Sequence, residues 1–173
     1  MKSDSYKILV VDDEDSIREL LSKVLSSKGY KCDTAADGVE ALEKFNAATF
    51  DAVIADIAMP RMDGLQLTRE LTGMDTDLPV MLMTGFVNEY DYDDAVKAGA
   101  SDFIKKPLGI EELMARFDRM MHNCETICKI KIFQKDLEEV SRQMINGIEN
   151  DAMKKIEDLN RQLSELKDRI RKS

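Results

Sequence analysis

"KILVVDDEDS", Lys7–Ser16, is the stretch on which the reading of the whole chain turns. Ile8-Leu9-Val10-Val11 is a short unbroken apolar run, the pattern of a strand buried on both faces, as in a parallel sheet. It leads directly into Asp12, Asp13, Glu14 and Asp15. Like charges crowded at a strand end repel one another, so something must offset them. Beyond the acids, Ile17, Leu20, Leu21, Val24 and Leu25 lie at offsets of 0, 3, 4, 7 and 8, one face of a helix. Gly29 is placed to end it.

The same alternation runs outward from this unit. Lys31 to Ala35 predicts a less buried strand, and Val39, Leu42 and Phe45 a helix after Asp37-Gly38. Ala52-Val53-Ile54-Ala55 is a buried strand ending at Asp56, followed by a helix with Leu65, Leu67 and Leu71 and a stop at Gly73. Val80-Met81-Leu82-Met83 ends at Thr84, and Tyr90 to Ala98 predicts a modest helix before Gly99. Phe103-Ile104 leads to Lys105-Lys106-Pro107, and Ile110, Leu113, Met114, Phe117 and Met121 form a fifth helical face. Strand and helix alternating with short connections predict an α/β fold, a parallel sheet covered by helices on both sides. Ligands of such sheets sit outside the carboxyl ends of the strands. Those ends carry Asp12 and Asp13, then Asp56, then Thr84, then Lys106.

Three carboxylates on one edge cannot all stay ionised cheaply without a cation. Oxygen ligands suit a hard ion such as Mg²⁺. A carboxylate nucleophile, a metal, a lysine and a hydroxyl together suit phosphoryl transfer. Each residue alone has a blander reading. The acids after Val11 could cap a helix, Asp56 could start a turn before Met59-Pro60, and Lys106 could be solvated. Their recurrence in order at matching strand ends favours the joint site.

These residues sit in stretches that resemble the receiver domain of two-component response regulators: "ILVVDDE", "AVIADIAMPRMDG", "VMLMTG" and "AGASDFIKKP", within residues 5–121. The resemblance implies a flavodoxin-like (βα)5 fold with strand order 2-1-3-4-5. It implies that Asp56 accepts a phosphoryl group from the phosphohistidine of a sensor histidine kinase or phosphotransfer protein. Asp12, Asp13, Asp56 and the backbone carbonyl of Ala58 would hold Mg²⁺. Thr84 and Lys106 would bind the phosphoryl oxygens, and Phe103 would be the aromatic switch residue. The family places its lysine immediately before proline, which selects Lys106 over Lys105 and implies a cis Lys106–Pro107 bond. In the family, side chains two after the phosphoacceptor and two after the threonine border the attacking water. Here they are Ala58 and Phe86, neither able to deprotonate it, which implies slow autodephosphorylation. A Mg²⁺-dependent aspartyl phosphatase is the distant alternative. It needs a general acid where Ala58 has only a methyl group.

The chain has 173 residues, 43% hydrophobic and 34% charged, with net charge -9. That charge argues against nonspecific affinity for nucleic acid or anionic membranes. Three cysteines and no apolar run of spanning length predict a reduced, cytoplasmic protein without a membrane segment. His122, Cys124 and Cys128 lack a fourth ligand for a metal and read as a helix-face coincidence. Residues 1–121 carry 14 Lys and Arg against 24 Asp and Glu, whereas residues 122–173 carry 11 against 10.

The second segment, 122–173, predicts a helical extension. Ile130, Phe133, Leu137, Val140 and Met144 step by 3 and 4, and so do Ile156, Leu159, Leu163, Leu166 and Ile170. That is the spacing of a coiled coil. The 12-residue gap from Met144 to Ile156 fits no whole number of heptads, so a long helix must drift in phase, bend, or turn back at Asn146-Gly147. Parallel self-association into a homodimer is favoured over packing back on the first domain. The near-neutral tail predicts a binding output to an unknown downstream protein, with no DNA-binding or enzymatic domain. The rival reading is the receiver-plus-linker part of a larger dimeric transcriptional regulator of the enhancer-binding ATPase type.

Overall fold

The computed structural model describes residues 6–85, 92–107 and 109–171, with side chains described for these residues other than 92 and 165–171. Five strands alternate with five helices in chain order: β1 Lys7–Val11, α1 Asp15–Ser27, β2 Lys31–Ala35, α2 Gly38–Ala47, β3 Ala52–Asp56, α3 Gly64–Met74, β4 Val80–Thr84, α4 Tyr92–Ala98, β5 Asp102–Lys105 and α5 Ile110–Arg171. The helix expected from Tyr90 begins at Tyr92, and Tyr90 lies outside the described residues. All strand pairs are parallel, and the sheet order is β2-β1-β3-β4-β5, the flavodoxin-like order expected.

Successive strand residues point to opposite faces, and both faces are apolar, hence the unbroken runs. Leu9, Val11, Val53, Ala55, Leu82 and Phe103 face one way and pack with Ala41 of α2, Leu67 and Leu71 of α3 and Ala95 of α4. Ile8, Val10, Ile54, Met81, Met83 and Ile104 face the other and pack with Leu21 and Leu25 of α1 and Leu113 and Phe117 of α5. The registers Val10↔Ile54, Ile54↔Met81 and Met83↔Ile104 bring the carboxyl ends of the four strands to one edge. Leu20, expected on the buried face of α1, is 44% exposed. The stripe that the sheet covers is narrower than the one the spacing drew.

The chain falls into two compact units, Met1–Glu125 and Thr126–Ser173. In the second, the backbone stays helical through 146–152, so the chain does not turn back at Asn146-Gly147. One glycine costs a helix only about 1 kcal/mol, and no proline follows it. At about 100° per residue, the row beginning at Ile156 is rotated by about 120° from the row ending at Met144. The phase drifts along one helix. Ile130, Phe133, Leu137, Val140, Met144, Ile156, Leu159 and Leu163 are all at least half exposed. The side chains of Leu166 and Ile170 lie outside the described set. Among the described residues, no helix is long and apolar enough to cross a membrane.

Candidate functional site

The strand ends gather the residues singled out in the sequence. Asp12 follows β1 and is fully buried, Asp56 closes β3 at 4% exposure, and Thr84 closes β4, also buried. The Lys106 Nζ atom lies 2.9 Å from Asp12 Oδ2 and 2.8 Å from Asp56 Oδ1, bridging the two acids. Lys105, the last residue of β5, is exposed, so strand alternation turns Lys106 into the site instead. The Lys106–Pro107 bond is cis. Phe103 is 7% exposed and packed in the core with Leu82 of the neighbouring strand.

Asp56 is held unevenly. Its Oδ2 atom accepts a hydrogen bond from the Ala58 amide at 3.0 Å. Its Oδ1 atom is buried and lies 2.8 Å from the Lys106 ammonium. Burial pushes the Asp56 carboxyl above its ordinary range, and the Asp12 charge adds to this, while Lys106 and the Ala58 amide oppose it. Burial would lower Lys106, but its bonds to Asp56 and Asp12 outweigh that and hold it above the ordinary lysine value. The lysine is therefore a fixed positive charge between two carboxylates.

Asp13 is exposed. Among the described residues, no three His, Cys, Asp or Glu side chains are gathered as a metal cluster. After Asp12 the chain enters α1, with Asp15 in its first turn. Glu14 is the N-cap residue but makes no side-chain cap bond, and its amide donates to Asp12 Oδ1 at 2.9 Å. Asp15 pairs with Arg18, whose other guanidinium nitrogen donates to the Asp12 carbonyl at 2.5 Å. Arg18 was not singled out in the sequence, and its position one turn into α1 behind the acids was the available signal. Two carboxylates, a nearby carbonyl and water still suit Mg²⁺, which uses one or two carboxylates and keeps several waters. The buried Asp56 Oδ1 atom, already beside the Lys106 ammonium, is an acceptor that a metal cation could share. Phe86, the other residue expected to border the attacking water, lies outside the described residues. Ala58 presents its amide to Asp56.

The model for the response regulator receiver domain matches residues 8–118. The response regulator MprA of Mycobacterium tuberculosis is 41% identical over 117 residues, covering 68% of this chain and 51% of that protein. The chain thus spans about half the length of the curated relatives it matches. The response regulator TrrA of Thermotoga maritima, solved in complex with Mg²⁺ and BeF, is 36% identical with a TM-score of 0.61, over 66% of this chain and 98% of that one. NtrX of Brucella abortus, solved in complex with ATP, is 35% identical with a TM-score of 0.65, over 72% of this chain and 29% of that one. With a match of this extent and a sheet of the same order, the chain belongs to the response regulator receiver domain family.

Proposed function

We propose that residues 5–121 work as a phosphorylation switch in which Asp56 is the phosphoacceptor. The observation that carries this is the buried Asp56 carboxylate at the end of β3, bridged to Asp12 by Lys106. A carboxylate oxygen of Asp56 bonds to phosphorus as the P–N bond of a donor phosphohistidine breaks. The bonding pair leaves on the imidazole nitrogen. Lys106 and Thr84 would hold the phosphoryl oxygens. Lys106 must then exchange one carboxylate contact for a phosphoryl contact. Phe103 follows Thr84 as the switch residue. Asp12, Asp13, Asp56 and the Ala58 carbonyl are the groups that would hold Mg²⁺. The metal supplies positive charge against the phosphoryl oxygens in the transition state. The donor is a sensor histidine kinase or phosphotransfer protein, as the family match supports.

The test is intact mass after incubation with acetyl phosphate and Mg²⁺. The wild type should gain one phosphoryl group, and Asp56→Asn should gain none. Equal gain by both would move the phosphoacceptor elsewhere.

For residues 122–173 we propose self-association into a homodimer. The exposed row of Ile156, Leu159 and Leu163 supports it, because a long apolar row on one helix is stable only when covered. Light-scattering mass of the full chain should be that of a dimer at tens of micromolar, within the ordinary range of association constants. A monomer there would refute it. A second reading is the receiver and linker of a longer dimeric regulator. It is supported by relatives of which this chain matches only 51% and by a match to 29% of NtrX. An unknown downstream protein is then reached through a following domain.

A further inference from the structure

We propose that Arg61 is a positioning residue: its ion pair with Asp37 tethers the turn between β3 and α3, and so sets how tightly the site binds a divalent cation. This rests on the reading of Asp12, Asp13, Asp56 and the Ala58 carbonyl as the cation's ligands.

The argument starts from the backbone. Arg61 has φ +65°, and among the described residues it is the one non-glycine in the left-handed region. An L side chain there is sterically disfavoured and persists where the surroundings over-determine it. What determines it here is Asp37. The Arg61 Nε atom donates to Asp37 Oδ2 at 2.8 Å, and a second guanidinium nitrogen donates to the same oxygen. Asp37 is only 4% exposed. Its other oxygen caps α2, accepting from the Val39 amide at 2.9 Å and the Glu40 amide at 3.1 Å. The arginine is therefore tied to a buried anion that a helix end already holds still.

A simpler account is that Arg61 only neutralises a buried capping acid. The surrounding contacts point further. The Gly38 amide donates to the Met62 carbonyl at 3.3 Å. A Cβ atom on Gly38 would stand 2.7 Å from Met62 Cγ, so the two turns are pressed together and not merely charge-paired. The same turn begins at the site. Ala58 donates its amide to Asp56, the Gly64 amide donates to the Ile57 carbonyl at 2.9 Å, and a Cβ on Gly64 would collide with the Asp56 carbonyl oxygen. Residues 57–63 are thus fixed at their ends by Asp56 and Gly64 and at their apex by Arg61. Releasing the apex leaves the peptide after Ala58 held by the 3.2 Å bond from the Met59 amide to the Ile57 carbonyl, with the apex itself kept by the Gly38–Met62 bond, and the Ala58 carbonyl in that loosened turn is the ligand in question. Groups that orient metal ligands commonly change affinity by about ten- to a hundredfold when removed.

The experiment is calorimetric titration of Mg²⁺ into the full chain, with no phosphoryl donor, alongside thermal unfolding. Arg61→Gly removes the pair while accepting the positive φ and leaves Asp37 bonded to the Val39 and Glu40 amides, so it should unfold in one cooperative step at a lower temperature and weaken Mg²⁺ binding about tenfold. Asp37→Asn keeps the cap and loses the charge, and should weaken binding similarly. The double variant should be no weaker than either single one, because both remove one contact. Arg61→Lys should restore part of the affinity. Wild-type affinity in Arg61→Gly, or losses that add in the double variant, would overturn the tether. A wild type that binds no Mg²⁺ would overturn the ligand assignment itself, and the tether with it.

Discussion

Replacing Lys106 by methionine keeps the apolar stem and removes the ammonium that touches both Asp12 and Asp56. The two carboxylates are 0% and 6% exposed at the side chain, and the lysine 18%, so water screens the group little. At contacts of this length and an effective dielectric of about 20, each ion pair is worth roughly 6 kcal/mol before desolvation. Desolvation cancels much of that in the wild type. The variant, however, keeps the buried charges and loses their partner, which typically costs about 3–5 kcal/mol. We expect a loss near 3 kcal/mol at pH 7 without divalent cations, at the lower end of that range. All four tyrosines precede residue 126 in the sequence, so urea unfolding followed by tyrosine fluorescence reads the first unit without signal from the second. Burial already raises the Asp56 carboxyl, and without the ammonium the folded state holds it further above its unfolded value. The penalty is therefore full at neutral pH and disappears as pH falls below the unfolded Asp value of about 3.9. A loss under about 1 kcal/mol at pH 7, the worth of an exposed pair, would refute the view that Lys106 holds these acids together.

Two glycines in helices should respond in opposite directions. Gly64→Ala should destabilise by about 3 kcal/mol or more, because its Cβ would run into the Asp56 carbonyl oxygen. Gly147→Ala, with nothing within 4 Å, should stabilise the second unit by about 1 kcal/mol in helix melting followed by circular dichroism. Tyr6 donates to Glu125 at 2.7 Å, and this bond, with burial and the Glu125 charge, pushes its hydroxyl up to about 12. The folded state keeps that proton longer than the unfolded chain, so the contact loses stabilising effect as pH rises from about 10 through 12. Ultraviolet absorbance titration of the phenols should lose its highest component in Tyr6→Phe.

The elements and their arrangement as layers were legible in the apolar pattern alone. Ile8–Val11, Ala52–Ala55 and Val80–Met83 are apolar without interruption because both faces of each strand are covered. That property is local, and so is the position of Asp56, Thr84 or Lys106 at the end of such a run. Tertiary structure decided which of these groups touch. Lys106 reaches Asp12 across 94 residues, and Arg61 reaches Asp37 across 24. Asp13, next to Asp12 in the chain, points to solvent instead. The exposure of Leu20 and the unbroken backbone at Gly147 were likewise hidden from periodicity. Spacing along a chain specifies a face and a phase. It does not specify the width of the surface that covers the face, nor the charge brought opposite from another strand. Those depend on distances set only once the sheet is assembled.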